Sequence, residues 1–210
     1  MSNAYSAAQF IVNLYASTGA VKYLDDNFFH SKQCVIEMLM LAYINRKIFY
    51  TDGTWPWSEL KIAIMHRYDW KGAVSASCYE DLFTYAAGRV LERAIDDVDV
   101  SSVSKAITAS VNRSTATFEL AKVLHDLKIA QFAITGQDCT AEELYRRQVD
   151  EFYKLFPVED AVSCVANFRN NMSSIARKSD LTDLFCFPEF AKRYGDALRT
   201  RAAEMAALNP

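Results

Sequence analysis

The chain has no CxxC pair, no GxGxxG or GxxxxGK[ST] loop, and no uninterrupted apolar run approaching 18 residues. Without a glycine-rich phosphate loop, the common nucleotide-binding enzymes are poor candidates. Without a long apolar run, no helix is expected to span a bilayer. The five cysteines, Cys34, Cys78, Cys139, Cys164 and Cys186, are odd in number and widely spaced, which suits reduced thiols better than a disulfide framework. The stretch Met1 to Phe10 lacks the basic and then apolar signature of a signal peptide, so an intracellular protein is expected. Bulk positive charge is missing as well. A net charge of −3 and a pI near 5.7 argue against coating nucleic acid by charge alone, while leaving room for a local basic groove.

What is present is an ordinary supply of core: 51% hydrophobic and 23% charged residues over 210 positions, enough for one large domain or two small ones. The organising stretch is Asp96 to Thr135. It opens with the acidic turn Asp96, Asp97 and Asp99, and no Gly or Pro lies between Gly88 and Gly136 to force a break. Ser101 and Ser102 are good capping types, and Val103, Ile107 and Val111 recur every four positions. Leu120, Val123, Leu124, Leu127, Ala130 and Ile134 continue the pattern. The polar centre, Ser110 to Thr117, competes for backbone hydrogen bonds and is the weak point. A continuous helix here would run roughly 50 Å at about 1.5 Å per residue, so it must project or be broken.

Around this stretch the helical signals are regular. Ser6 and Gln9 form a capping-box pattern ahead of a stripe of Phe10, Ile11, Leu14 and Tyr15. The run Cys34 to Tyr50 is apolar almost all round and is expected to be a central core helix, with Ser31 as its cap. Asp52-Gly53 and Pro56 mark a turn. Leu60, Ile64 and Tyr68 then indicate a helix ending near Gly72, and Ser77 with Glu80 opens another from Cys78 to about Ile95. Thr140 with Glu143 is the clearest capping box, Pro157 suits a helix start, and Pro188 begins the last helix. The expected fold is therefore all-α: a helical bundle with a long antiparallel helix hairpin over about 78–135 and extra C-terminal helices. Residues 1–156 form the bundle core and 157–210 a C-terminal helical extension packed on the same domain, with Arg177 to Asp180 as the best internal break.

No catalytic or metal motif emerges from the spacing. His30, His66 and His125 read as isolated histidines rather than ligands, and a Cys nucleophile meeting one of them in space carries no local signature. Trp55, Trp57, Tyr68 and Trp70, with Lys61, Arg67 and Lys71 nearby, form an aromatic contact cluster suited to a core, a neighbouring subunit or stacked nucleobases. Arg89 and Arg93 before the acidic turn, with Lys105 and Arg113 after it, place cations on both limbs of one hairpin end. Guanidinium groups there pair well with phosphate, or simply neutralise the three aspartates.

The order of these pieces resembles the coat proteins of rod-shaped plant RNA viruses, the tobamovirus-like helical capsid family. Phe28 to Tyr50 looks like an early bundle helix, Tyr79-Glu80-Asp81-Leu82 to Arg93 like the third helix and Ser114 to Phe132 like the fourth. Tyr145-Arg146-Arg147 followed by Glu151-Phe152 and Leu155-Phe156 is similar to the family's basic and phenylalanine-containing C-terminal segment. The likeness covers about two-thirds of the chain, and residues from Pro157 onward exceed the usual ending of such coats.

The resemblance implies a non-enzymatic capsid protein of the virion and host cytoplasm that polymerises around single-stranded RNA. Arg89, Arg93, Lys105 and Arg113 would bind phosphate. Asp96, Asp97 and Asp99 would be inter-subunit carboxylates, sensitive to pH and able to take Ca²⁺; no other cofactor and no membrane are expected. Two other classes remain open: an intracellular helical adaptor acting through protein-protein contacts, and a cysteine-dependent enzyme with a fast-reacting thiol.

Overall fold

The computed structural model describes residues 2–208 apart from 18, 20, 22–23, 51–55, 67–98 and 135–139. Among the described residues there are nine α-helices and no strand, so the all-α expectation holds. The contacts divide the chain into two compact units, 1–128 and 129–210; the sequence expectation draws its line between 156 and 157.

In the first unit, α1 (Ser2–Ala16) packs on α2 (Phe29–Ile44), α2 on α4 (Trp57–His66), and α4 on α5 (Val100–Ala109). α2 is the core helix foreseen from its all-round apolar character, burying Cys34, Val35, Ile36, Met38, Leu39 and Leu41. It starts at Phe29, so Ser31 lies inside it rather than capping it. It ends at Asn45, whose backbone N–H (3.0 Å) and side-chain amide (2.8 Å) both donate to the Leu41 carbonyl. That double use of one acceptor closes the helix before the single turn α3 (Arg46–Phe49).

Two expectations need correction here. Of the stripe Phe10, Ile11, Leu14 and Tyr15, only Tyr15 lies on the buried face of α1. Ala8 and Val12 complete that face, while Phe10 is 68% and Leu14 44% exposed. The reason is the partner: the Tyr15 hydroxyl reaches His66 Nε2 of α4 at 2.5 Å, and that polar contact turns the helix so that small Ala8 and Val12 meet the core.

The second correction concerns the limb 96–135, which is not one helix. α5 stops at Ala109, residues 110–118 form a turn, and α6 (Glu119–Ile134) follows. Thr115 Oγ1 donates to the carbonyls of Ala109 (2.7 Å) and Asn112 (2.9 Å), stapling the turn. The side chains of α6 complete it: His125 Nδ1 donates to the Ser110 carbonyl at 3.0 Å and Lys128 Nζ to that of Val111 at 2.9 Å. These are carbonyls that the end of α5 leaves without helical partners. The other limb of the expected hairpin, 78–95, lies outside the described residues.

The second unit is built from α7 (Ala141–Leu155), α8 (Val158–Arg177) and α9 (Pro188–Ala206), each packed on the other two. The capping box that begins α7 is complete. The Glu143 N–H donates to Thr140 Oγ1 (3.1 Å), and the Thr140 N–H returns to Glu143 Oε2 (2.9 Å). Pro157 precedes α8 and Pro188 opens α9. Leu144, Phe168, Met172, Ala202 and Met205 form the core, with Phe132, Tyr145 and Phe152 packed around it.

Candidate binding face of the first helical unit

Of the expected site residues, Arg89, Arg93, Asp96, Asp97, Trp55, Tyr68 and Trp70 lie outside the described residues. The others are placed individually. Lys105 is exposed on α5 and Arg113 is exposed in the 110–118 turn beside Asn112, Ser114 and Thr115. Asp99 is the N-cap of α5, its carboxylate accepting the Ser102 N–H at 3.0 Å. Asp99, rather than Ser101 or Ser102, therefore performs the capping. Its carboxyl is held below the usual 3.8 chiefly by the Ser102 backbone bond, then by the Ser102 hydroxyl, with Lys105 adding a smaller electrostatic pull. The acid is thus engaged inside the chain.

Trp57 is the first residue of α4 and is half-buried. Its ring meets Tyr43 of α2, centroids 6.2 Å apart. Each ring carries a cation: Lys61 Nζ sits 5.6 Å from the Trp57 centroid and the Arg46 guanidinium 4.6 Å from that of Tyr43, a favourable use of the ring faces. The two aromatics also line an open groove of about 510 Å³, whose opposite wall is Ala4, Ala7, Ala8 and Ile11 of α1, with Leu39 at its base. Three of the four α1 side chains lining this groove are alanines, which leaves space between the helices. Beyond the alanine wall, Phe10 and Leu14 stand one turn apart in solvent.

Tyr43 and Arg46 were missed in the sequence reading because Tyr43 was absorbed into the core run of α2. It is in fact half in solvent. The signal available was the i, i+3 spacing of an aromatic and an arginine at the end of an apolar helix.

All three histidines are buried. His30 and Cys34, four residues apart on α2, do meet, with Nε2 3.6 Å from Sγ. The spacing was legible, and the pair is sealed: Cys34 is 0% and His30 4% exposed, which shields the thiol from a dissolved substrate. His66 is edge-on to Tyr15. His125 carries its proton on Nδ1, because the Ser110 carbonyl facing it only accepts. Cys34, Cys164 and Cys186 are not joined in disulfides. No helix among the described residues is long and apolar enough to cross a membrane.

Compared with protein-family models, with curated proteins and with solved structures, the chain matches none.

Proposed function

We propose that the protein is a non-enzymatic structural protein that self-assembles into a helical capsid and binds single-stranded RNA. The observation that carries this reading is the apolar surface left in water on both units. Phe10, Leu14, Phe29 and Tyr43 stand exposed on the first, and Tyr153, Val158 and Val162 on the second. Phe10 with Leu14 and Val158 with Val162 are pairs one helical turn apart, and contiguous apolar surface in water marks contact with other proteins. The RNA half of the reading is supported by Lys105 and by Arg113, which stands near exposed Ser114 and Thr117, a mixture of guanidinium and hydroxyl groups suited to phosphate oxygens. With Arg89 and Arg93 they form the phosphate-binding set, and Asp96, Asp97 and Asp99 supply the acidic turn where Ca²⁺ would bind between subunits.

Negative-stain electron microscopy at mildly acidic and mildly basic pH, with and without single-stranded RNA, tests this directly. Rods or stacked discs, lengthened by RNA, are the expected outcome. Uniform small particles under every condition overturn the capsid reading. The second reading, a helical adaptor acting through protein-protein contacts, is favoured by one feature, the open groove between α1, α2 and α4, and predicts a stable monomer or dimer indifferent to RNA.

A further inference from the structure

The groove of the first unit and the outer edge of α8 in the second are complementary. On α8, Ala161, Phe168 and Met172 are buried, while Val158, Val162 and Ala166 recur at i, i+4 and i+8 in solvent, with Val158 69% and Val162 52% exposed. Exposed valines at helical spacing are the form of anchor that a groove between helices accepts. Glu159, also exposed, flanks the stripe. The groove offers the matching chemistry: an apolar floor and alanine wall of about 510 Å³, and a rim where Lys61 and Arg46 ride on Trp57 and Tyr43.

We propose that the groove formed by α1, α2 and α4 of one copy receives the Val158–Val162–Ala166 stripe of α8 from a second copy, with Glu159 facing the Lys61 and Arg46 rim. The occupant is this chain itself because the stripe supplies both the apolar spacing and the opposite charge that the groove lacks. The contact is heterologous, since groove meets stripe rather than groove meeting groove. Each bound copy then still presents one groove and one stripe, so the assembly grows into a ring or an open filament instead of stopping at a dimer. This rests on the self-assembly part of the proposed function and names its surfaces.

The test uses two full-length variants at exposed positions, Ala7→Trp to fill the groove and Val162→Glu to break the stripe. Sedimentation velocity is run on each alone and on an equimolar mixture, with circular dichroism confirming helicity. The wild-type chain is expected to polymerise with concentration, and each variant alone to stay monomeric. The mixture should form one heterodimer and nothing larger, since only one intact groove and one intact stripe remain. A mixture that stays monomeric, or a Val162→Glu chain that still assembles, overturns the contact.

Should Ala7→Trp lose helicity, charge reversal decides. Lys61→Glu should weaken assembly about tenfold, and adding Glu159→Lys should restore it; no rescue overturns the pairing. Variants that form RNA-containing rods as the wild type does would sink this contact and leave the capsid reading standing. A wild-type chain that is monomeric with and without RNA would remove both.

Discussion

The two helical units hold themselves together by different means. Among the described residues, the first buries eight polar side chains, His30, Ser31, Glu37, Asn45, Ser110, His125 and Asp126 together with His66, whereas the second buries only Gln131 and Glu151. In the first unit, hydrogen bonds join separate helices. Tyr15 reaches His66, Tyr5 donates to Gln33, whose amide donates on to Glu37, and His125 closes the end of α5. The second unit relies on apolar packing, with Phe168 meeting Phe132, Tyr145 and Phe152 at 5.7 to 6.3 Å. Its polar bonds sit mostly at helix ends, as in the Thr140–Glu143 box, the Asp180–Thr182 turn, and Arg199 donating to the Ser179 carbonyl at 2.6 Å. Buried hydrogen bonds specify which helix meets which, because an unmatched polar group costs more than a matched one contributes. Aromatic packing supplies stability with less demand on registry.

The sharpest way to break this contrast is Phe168→Ala. Removing the ring that three others contact should cost about 3–5 kcal/mol, and hydrogen exchange should show the loss in residues 141–206. A loss spread equally over α1, α2 and α4 would mean that the two units do not have separate sources of stability.

A smaller effect is expected from Tyr15→Phe. It keeps the ring and removes the hydroxyl that His66 engages, at a cost of about 1–3 kcal/mol, read by denaturant unfolding. If the variant is as stable as the wild type, the buried hydrogen bond is not what orients α1.

The smallest effect should come from the capping box. The Glu143 carboxyl is held below its ordinary 4.5, first by the Thr140 backbone N–H, with the Thr140 hydroxyl, Arg147 and Arg146 adding to it. A depressed folded value means that the stabilisation is present above pH 4.5 and is lost as pH falls through that lower value. Glu143→Gln should therefore weaken α7 slightly at neutral pH and flatten the acid limb of the unfolding curve. An unchanged acid limb would assign the acid sensitivity elsewhere, with Asp99, depressed first by the Ser102 N–H, and Asp180, depressed first by the Thr182 hydroxyl and then by its N–H, the next groups to change.

Local signals were read well. The Thr140–Glu143 box, the proline at the head of α9 and the break after Arg177 rest on interactions within four residues, and the burial of α2 on its all-round apolar sequence. The candidate site was harder to read. Trp57 and Lys61 were legible as an aromatic and a basic residue one turn apart, but the groove needs α1 beside α2, and Tyr43 had been assigned to the core. The His30–Cys34 contact was within reach at i, i+4, yet its sealing by neighbouring helices was not.

By itself, the sequence determined the helical class, the helix starts of the second unit and the weak centre of the 96–135 stretch, because propensity, capping and proline geometry act locally along the chain. The tertiary structure alone decided which stripe of α1 is buried. Phe10 and Leu14 would satisfy periodicity as a core face as well as Ala8, Val12 and Tyr15 do. The choice belongs to His66, fifty-one residues from Tyr15, whose burial requires a hydrogen-bonding partner. Turning α1 to provide it leaves two large apolar side chains in water and opens the groove beside them.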